Sequence, residues 1–244
     1  MEPTQTSPQN STPKAESQLK LSIPAAIIIA GVIIAGAVFL SGRGGVARVD
    51  NGGDTEVAPA KVNVKDVTVA GEPFIGQENA VAVAYFSDYQ CPFCKKFDDE
   101  VLGKLKTDYV DTGKIKIIFK DFAFLGDDST TGAIFGRAIW DLYPAQYFTW
   151  REAMVASQDE EHGGFGDRAS IEKLITTIQG IDQKKVSAAV DTNMAKYKKL
   201  IEDSYAEGQR LGVQGTPSVI IGKVMIDGAY PLNSYIEALK KVVK

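Results

Sequence analysis

Both cysteines of the 244-residue chain stand in one motif, Cys91-Pro92-Phe93-Cys94. At this spacing one thiolate attacks a disulfide and a second thiol, one helical turn on, closes an internal one. Two cysteines placed at random in a chain of this length have this spacing in about 1% of arrangements, so the spacing carries information. As a plain staple the pair would close so short a loop that it would constrain the unfolded chain little. A structural zinc site needs further thiol or imidazole ligands, and the chain has no third cysteine and a single histidine. That histidine, His162, lies in Asp159-Glu160-Glu161-His162-Gly163-Gly164, a polar run that reads as a surface loop. The pattern therefore points to thiol–disulfide chemistry, with no metal and no bound cofactor.

Such chemistry requires a helix amino terminus at Cys91, and the flanking sequence supplies one. Ala80 to Phe86 is a short continuous apolar run, the pattern of a central strand buried on both faces. After the motif, Phe97, Val101, Leu102 and Leu105 recur at helical spacing. Where strand gives way to helix, unpaired N–H groups and the positive end of the macrodipole lower a thiol pKa. Pro92 suits the first helical turn, where its missing N–H has no partner to lose. Cys91 is predicted to be exposed and nucleophilic, and Cys94 to be shielded and able to resolve a mixed disulfide.

The remaining pattern is α/β. Val62 to Val69 alternates as a strand, and Lys114 to Lys120 places Ile115, Ile117 and Phe119 on one strand face. Thr130 to Leu211 is helical, with breaks near Pro144, Gly163-Gly164 and Gly180. Val219 to Ile221 and Val224 to Ile226 pair around Gly222-Lys223. Leu232, Tyr235, Ile236, Leu239 and Val243 then form a closing amphipathic helix. The expected order is β-β-α-β, a helical block, then β-β-α.

Upstream, residues 1–20 are rich in Pro, Ser, Thr and Gln and are expected to be disordered. Leu21 to Leu40 carries no charge and is long enough to cross the roughly 30 Å bilayer core, which predicts a transmembrane signal anchor over 21–41. Ala35-Gly36-Ala37 offers the competing reading of a cleaved signal peptide, but the apolar run continues past it through Val38-Phe39-Leu40. Lys14 and Lys20 before the run balance Arg43 and Arg48 after it, so charge leaves the orientation open. Residues 42–61 read as a flexible linker, and the folded domain is expected over 62–244. A net charge of −4 without a basic stripe gives no footprint for nucleic acid. Lys95-Lys96 followed by Asp98-Asp99-Glu100 reads as a solvated helix face.

Phe86-Ser87-Asp88-Tyr89-Gln90-Cys91-Pro92-Phe93-Cys94-Lys95-Lys96-Phe97 resembles the active-site segment of the DsbA-like branch of the thioredoxin superfamily. Gly212-Val213-Gln214-Gly215-Thr216-Pro217-Ser218 resembles that family's cis-proline loop, and the helical block, about 129–211, resembles its helical insertion. The resemblance implies a thioredoxin-like fold over residues 62–244, preceded here by one transmembrane helix. It implies that Cys91 attacks, Cys94 resolves, Pro217 packs on the disulfide, and the Thr216 backbone pairs with substrate peptide as an added strand. Exported or unfolded polypeptides with thiols would be the substrates, and a membrane redox partner would recharge the enzyme. The domain would then lie outside the cytoplasm, in the periplasm or at the cell exterior.

Three residues depart from the family pattern. Phe93 stands where the most oxidising members carry histidine, which implies a potential inside the roughly −270 to −120 mV spanned by thioredoxin and DsbA. Tyr85 stands where thioredoxin-like proteins often bury a carboxylate, leaving Asp88 or water as the candidate for proton transfer at Cys94, with a cap or loop role for Asp88 as the alternative. Thr216 occurs in isomerase-like as well as oxidase-like members, so the direction of electron flow stays open. Phe93, Tyr89, Phe122, Phe124 and Tyr230 are candidates for a peptide groove or for the core.

Overall fold

The computed structural model describes residues 62–159 and 163–243. The predicted tail, membrane span and linker, and His162, lie outside the described residues. Among the described residues no helix is long and apolar enough to cross a membrane.

A mixed five-stranded sheet carries the fold, in the order β1-β3-β2-β4-β5. Its strands are β1 (Phe74–Ile75), β2 (Val81–Ser87), β3 (Ile115–Asp121), β4 (Ser218–Ile221) and β5 (Val224–Asp227). The apolar run predicted as a central strand is β2, third of five, with Val83 to Phe86 buried on both faces. β3 runs parallel to it, Val81 opposite Ile115 and Ser87 opposite Asp121, while β4 runs antiparallel, Ser218 opposite Phe86.

Alternation within the strands divides the core. Val83, Tyr85, Ile117, Phe119, Val219 and Ile221 face the helices, and Ala84, Phe86 and Ile220 face the opposite side. The helices are α1 (Pro92–Phe97), α2 (Asp127–Leu142), α3 (Tyr147–Ala156), α4 (Arg168–Ile175), α5 (Gln183–Leu211) and α6 (Leu232–Leu239). Beyond α1 the helical path continues through π-turns at Asp98–Leu102 and Lys106–Val110, which flank the single α-turn Gly103–Leu105. The block α2–α5 inserts between β3 and β4 and packs on the Tyr85 face through Trp150, Met154, Ile171 and Val186. On the other face α5 approaches so closely that a Cβ at Gly208 would stand 2.7 Å from the Phe122 ring.

The strand expected over Val62 to Val69 is absent. Asn63 accepts the Lys65 backbone N–H at 3.1 Å and turns the chain into a 3-10 helix at Val64–Asp66. Val62, Val64 and Val67 are all buried against Phe86, Leu211 and Ile220, so apparent alternation marked a packed loop. A buried network of charges ties Glu72, just after this segment, to β3 and the insertion, and Thr68 joins it through Glu207 at 2.7 Å. Lys120 pairs with Glu72 at 2.6 Å and Glu207 at 2.8 Å, and Arg137 pairs with Glu72 at 2.7 Å and Asp121 at 2.6 Å.

Candidate active site

β2 delivers the chain to Cys91, the N-cap of α1, with extended backbone at φ −79° and ψ 117° and with Pro92 directly following. The Cys91 carbonyl accepts the Cys94 and Lys95 N–H groups at 3.0 and 3.2 Å, which starts the helix. Opposite, the Thr216–Pro217 bond is cis, and the Thr216 carbonyl receives the Cys91 thiol at 3.3 Å. The two motifs, 125 residues apart in sequence, thus meet at one sulfur. Both cysteines are free thiols.

Cys91 is not exposed as expected: it retains 4% of its surface, because the 216–217 loop closes over it, and Cys94 retains 1%. Their protonation differs sharply. The Cys91 thiol is lowered from the ordinary value to about 6, chiefly by the hydrogen bond from the Cys94 thiol. Burial opposes that lowering, while the Thr216 side chain and the backbone at Cys94 and Phe93 add to it. Burial pushes the Cys94 thiol well up, and the neighbouring Cys91 adds to the rise. Thr216 Oγ1 is buried without a hydrogen-bond partner, a donor left for a sulfur that has lost its proton.

Asp88 is 2% exposed, and its carboxylate accepts four hydrogen bonds. They come from the backbone N–H of Gln90 at 2.8 Å, Phe124 at 2.9 Å and Leu125 at 3.2 Å, and from Ser129 Oγ at 2.6 Å. Burial raises its pKa and these four bonds oppose the rise. The geometry is that of a tie between the loop before Cys91 and the start of α2. Gln90 is fixed in turn through its side-chain amide to the Phe165 carbonyl at 3.0 Å.

Beneath the pair lies a charge cluster that sequence reading missed. Tyr85 donates to Asp98 at 3.0 Å, and Arg151 donates to the other oxygen at 2.5 Å. The Arg151 guanidinium also lies over the Phe119 ring at 4.6 Å and the Tyr85 ring at 5.1 Å. Asp98 therefore does not belong to the solvated face assigned to it, since its side chain is 9% exposed. The available signal was its position four residues after Cys94, which puts it on the same buried helix face.

Of the aromatics considered for a groove, Tyr89 and Phe122 are core residues, packed at an inclination against Trp150 and Tyr205 respectively. Phe93, Phe124 and Tyr230 stay open to solvent at 61, 46 and 52%. All three follow strand ends on the Cys91 side of the sheet, and Gly228, close before Tyr230, donates to the Pro217 carbonyl at 2.7 Å. Among the described residues no group of His, Cys, Asp and Glu could hold a metal ion.

The family model described as thioredoxin matches residues 68–241. Disulfide bond formation protein D of Bacillus subtilis is 22% identical over 178 residues, 72% of this chain and 79% of the relative. Probable disulfide bond formation protein D of Bacillus cereus is 30% identical over 151 residues, covering 60% of this chain and 68% of its own. Among solved structures, the thiol-disulfide exchange protein alpha-DsbA2 of Wolbachia pipientis superposes with a TM-score of 0.65 at 29% identity, over 73% of this chain and 90% of that one. Oxidised BdbD of Bacillus subtilis shares the fold, with a TM-score of 0.67 at 21% identity over 75% of this chain and 96% of that one. The chain belongs to the thioredoxin family, with a DsbA-like fold, and is a protein thiol–disulfide oxidoreductase.

Proposed function

We propose that this enzyme forms disulfides in exported polypeptides, held outside the cytoplasm by a membrane anchor at residues 21–41. The observation that carries the direction is the setting of Cys91, at a helix N-cap, beside the Cys94 thiol and the Thr216 hydroxyl. A site that stabilises the Cys91 thiolate stabilises the reduced enzyme, and its disulfide is then the oxidant. Its pKa of about 6 falls between the roughly 7 of thioredoxin and 3.5 of DsbA.

The reaction balances in two exchanges. A substrate thiolate attacks Cys91 Sγ in the Cys91–Cys94 disulfide, and Cys94 leaves with the electron pair and takes a proton, as its raised pKa requires. A second substrate thiolate attacks the substrate sulfur of the mixed disulfide, and Cys91 leaves as a stabilised thiolate. The substrate loses two electrons and the enzyme gains them. A quinone-linked membrane partner is the class of oxidant that restores the disulfide. Substrate peptide pairs with the backbone at Thr216, and Phe93, Phe124 and Tyr230 offer it an apolar rim.

Trapping tests this reading. Cys94→Ala should accumulate exported proteins disulfide-linked to Cys91, and an empty trap refutes the proposal. Cellular Cys91/Cys94 held mostly reduced would favour a reductase or isomerase. Full cellular function in Cys91→Ser would favour a peptide-binding module without catalysis.

A further inference from the structure

A cavity of about 790 Å³ opens at the end of the sheet opposite the thiols. β2 begins at Val81 and runs toward Cys91, so Ala80 to Ala82 mark the far end. β4 runs antiparallel, with Ile221 opposite Val83, which brings the Gly222-Lys223 turn there as well. The floor is aliphatic, formed by Val64, Val67, Val81, Val224 and Val242.

The charged residues lining the cavity have one sign. Lys65, Lys116, Lys223 and Lys241 line it, and no acidic residue does among the described residues. Lys116 is committed to the Glu78 carbonyl at 2.7 Å. Lys65, Lys223 and Lys241 are exposed and form no ion pair among the described residues. Of the acids near by, Asp66 does not line the cavity, Glu78 stands 3.9 Å from Lys116, and Glu237 pairs with Lys240 at 2.7 Å while also feeling the charge of Lys241. The volume lies within the roughly 300–1,000 Å³ of small-molecule sites. An aliphatic floor under a cationic rim matches an alkyl chain that ends in an anion.

We propose that this cavity binds an anionic phospholipid, its acyl chain among the valines and its phosphate at Lys65, Lys223 and Lys241. The choice of a membrane source rests on the anchor proposed above; the chemistry of the cavity does not. The 20 residues 42–61 separate the predicted span from Val62, and Asn63 is on the cavity rim.

The test uses the full chain with dioctanoyl phosphatidylglycerol, dioctanoyl phosphatidylcholine, octanoate and inorganic phosphate, read by native mass spectrometry and backbone hydrogen exchange. One phosphatidylglycerol should bind per chain and protect the 222–225 and 238–243 segments; octanoate should bind more weakly, and phosphatidylcholine and phosphate should not protect them. Lys223→Gln with Lys241→Gln should weaken that binding about 25-fold, taking roughly fivefold for each lysine at an anionic lipid, and leave thiol exchange unchanged. Equal binding of phosphatidylcholine, equal competition by octanoate or phosphate, or no loss in the double variant would each overturn the proposal. Retention in pure phosphatidylcholine nanodiscs reads the anchor separately. Loss of the chain from those discs refutes the tether, and the soluble-lipid result still judges the cavity.

Discussion

Replacing Thr216 by valine removes one hydroxyl while keeping side-chain shape and the carbonyl that receives the Cys91 thiol. In the wild type that hydroxyl is buried, without a partner, and contributes to the lowered pKa of Cys91. A hydrogen bond to a charged group is worth about 1.5–3 kcal/mol, and 1.36 kcal/mol corresponds to one pKa unit. Thr216→Val should therefore raise the Cys91 pKa from about 6 to about 7–8. At pH 7 the thiolate fraction falls from about 90% to between about 50% and 10%. Because the reduced form loses that stabilisation, the reduction potential should drop by about 20–30 mV at pH 7, at roughly 30 mV per tenfold change in equilibrium constant. The pH profile of iodoacetamide alkylation gives the pKa, and equilibration with glutathione gives the potential. An unmoved alkylation midpoint, or a potential that rises, refutes the assignment of the hydroxyl as a thiolate donor.

The remaining expectations concern the groups around the pair. Asp98→Asn leaves the Arg151 charge buried and uncompensated, and should cost about 3–5 kcal/mol in urea unfolding; a loss below 1 kcal/mol would show that the pair does not hold the core beneath Cys94. Asp88→Ala strands three backbone N–H groups and the Ser129 hydroxyl. It should cost about 3–6 kcal/mol, at 1–3 kcal/mol for each group left unsatisfied with partial relaxation, yet leave the pH profile of exchange unchanged. A slowed resolution step in the folded variant would instead make Asp88 a proton acceptor. Stability of the reduced protein should depend on pH through Cys91. Its folded pKa is depressed, so the stabilisation is complete above the unfolded thiol value and is lost as pH falls toward about 6. The Tm of the reduced form should rise relative to that of the oxidised form between pH 6 and pH 9, and an unchanged difference would contradict the lowered thiol pKa.

The two motifs and the buried central strand were legible because their signals are local: C-x-x-C spacing, an apolar run, a proline at a helix start. Tyr85 was noticed only as the absence of a carboxylate. The acid that lies near Cys94 comes from Asp98, and its partner Arg151 is 53 residues away, a pairing that no local pattern encodes. The valines at 62, 64 and 67 misled for a related reason. Hydropathy reports burial, and only the Asn63 cap distinguishes a packed turn from a strand. Exposure at Cys91 was misjudged because its cover is a loop distant in sequence, whose backbone accepts the thiol. Phe124 and Tyr230 differ from Phe122 and Tyr89 in exposure and not in type, so residue identity could not separate groove from core.

The separation of 125 residues between Cys91 and Thr216 has a consequence for a chain made from its amino terminus. β2, α1 and both cysteines emerge well before β4, and the whole helical insertion lies between them. Pairing of β2 with β4 is thus a high-contact-order event, which follows local structure in time. Until it occurs, the cysteines lack the Thr216 hydroxyl and the loop that covers them, and they behave more like ordinary thiols. The full acidity of the thiol is in this sense a maturity mark: the share supplied by Thr216 arises only once the carboxyl-terminal strands dock, and a nascent or truncated chain ending before residue 216 carries the motif without that share.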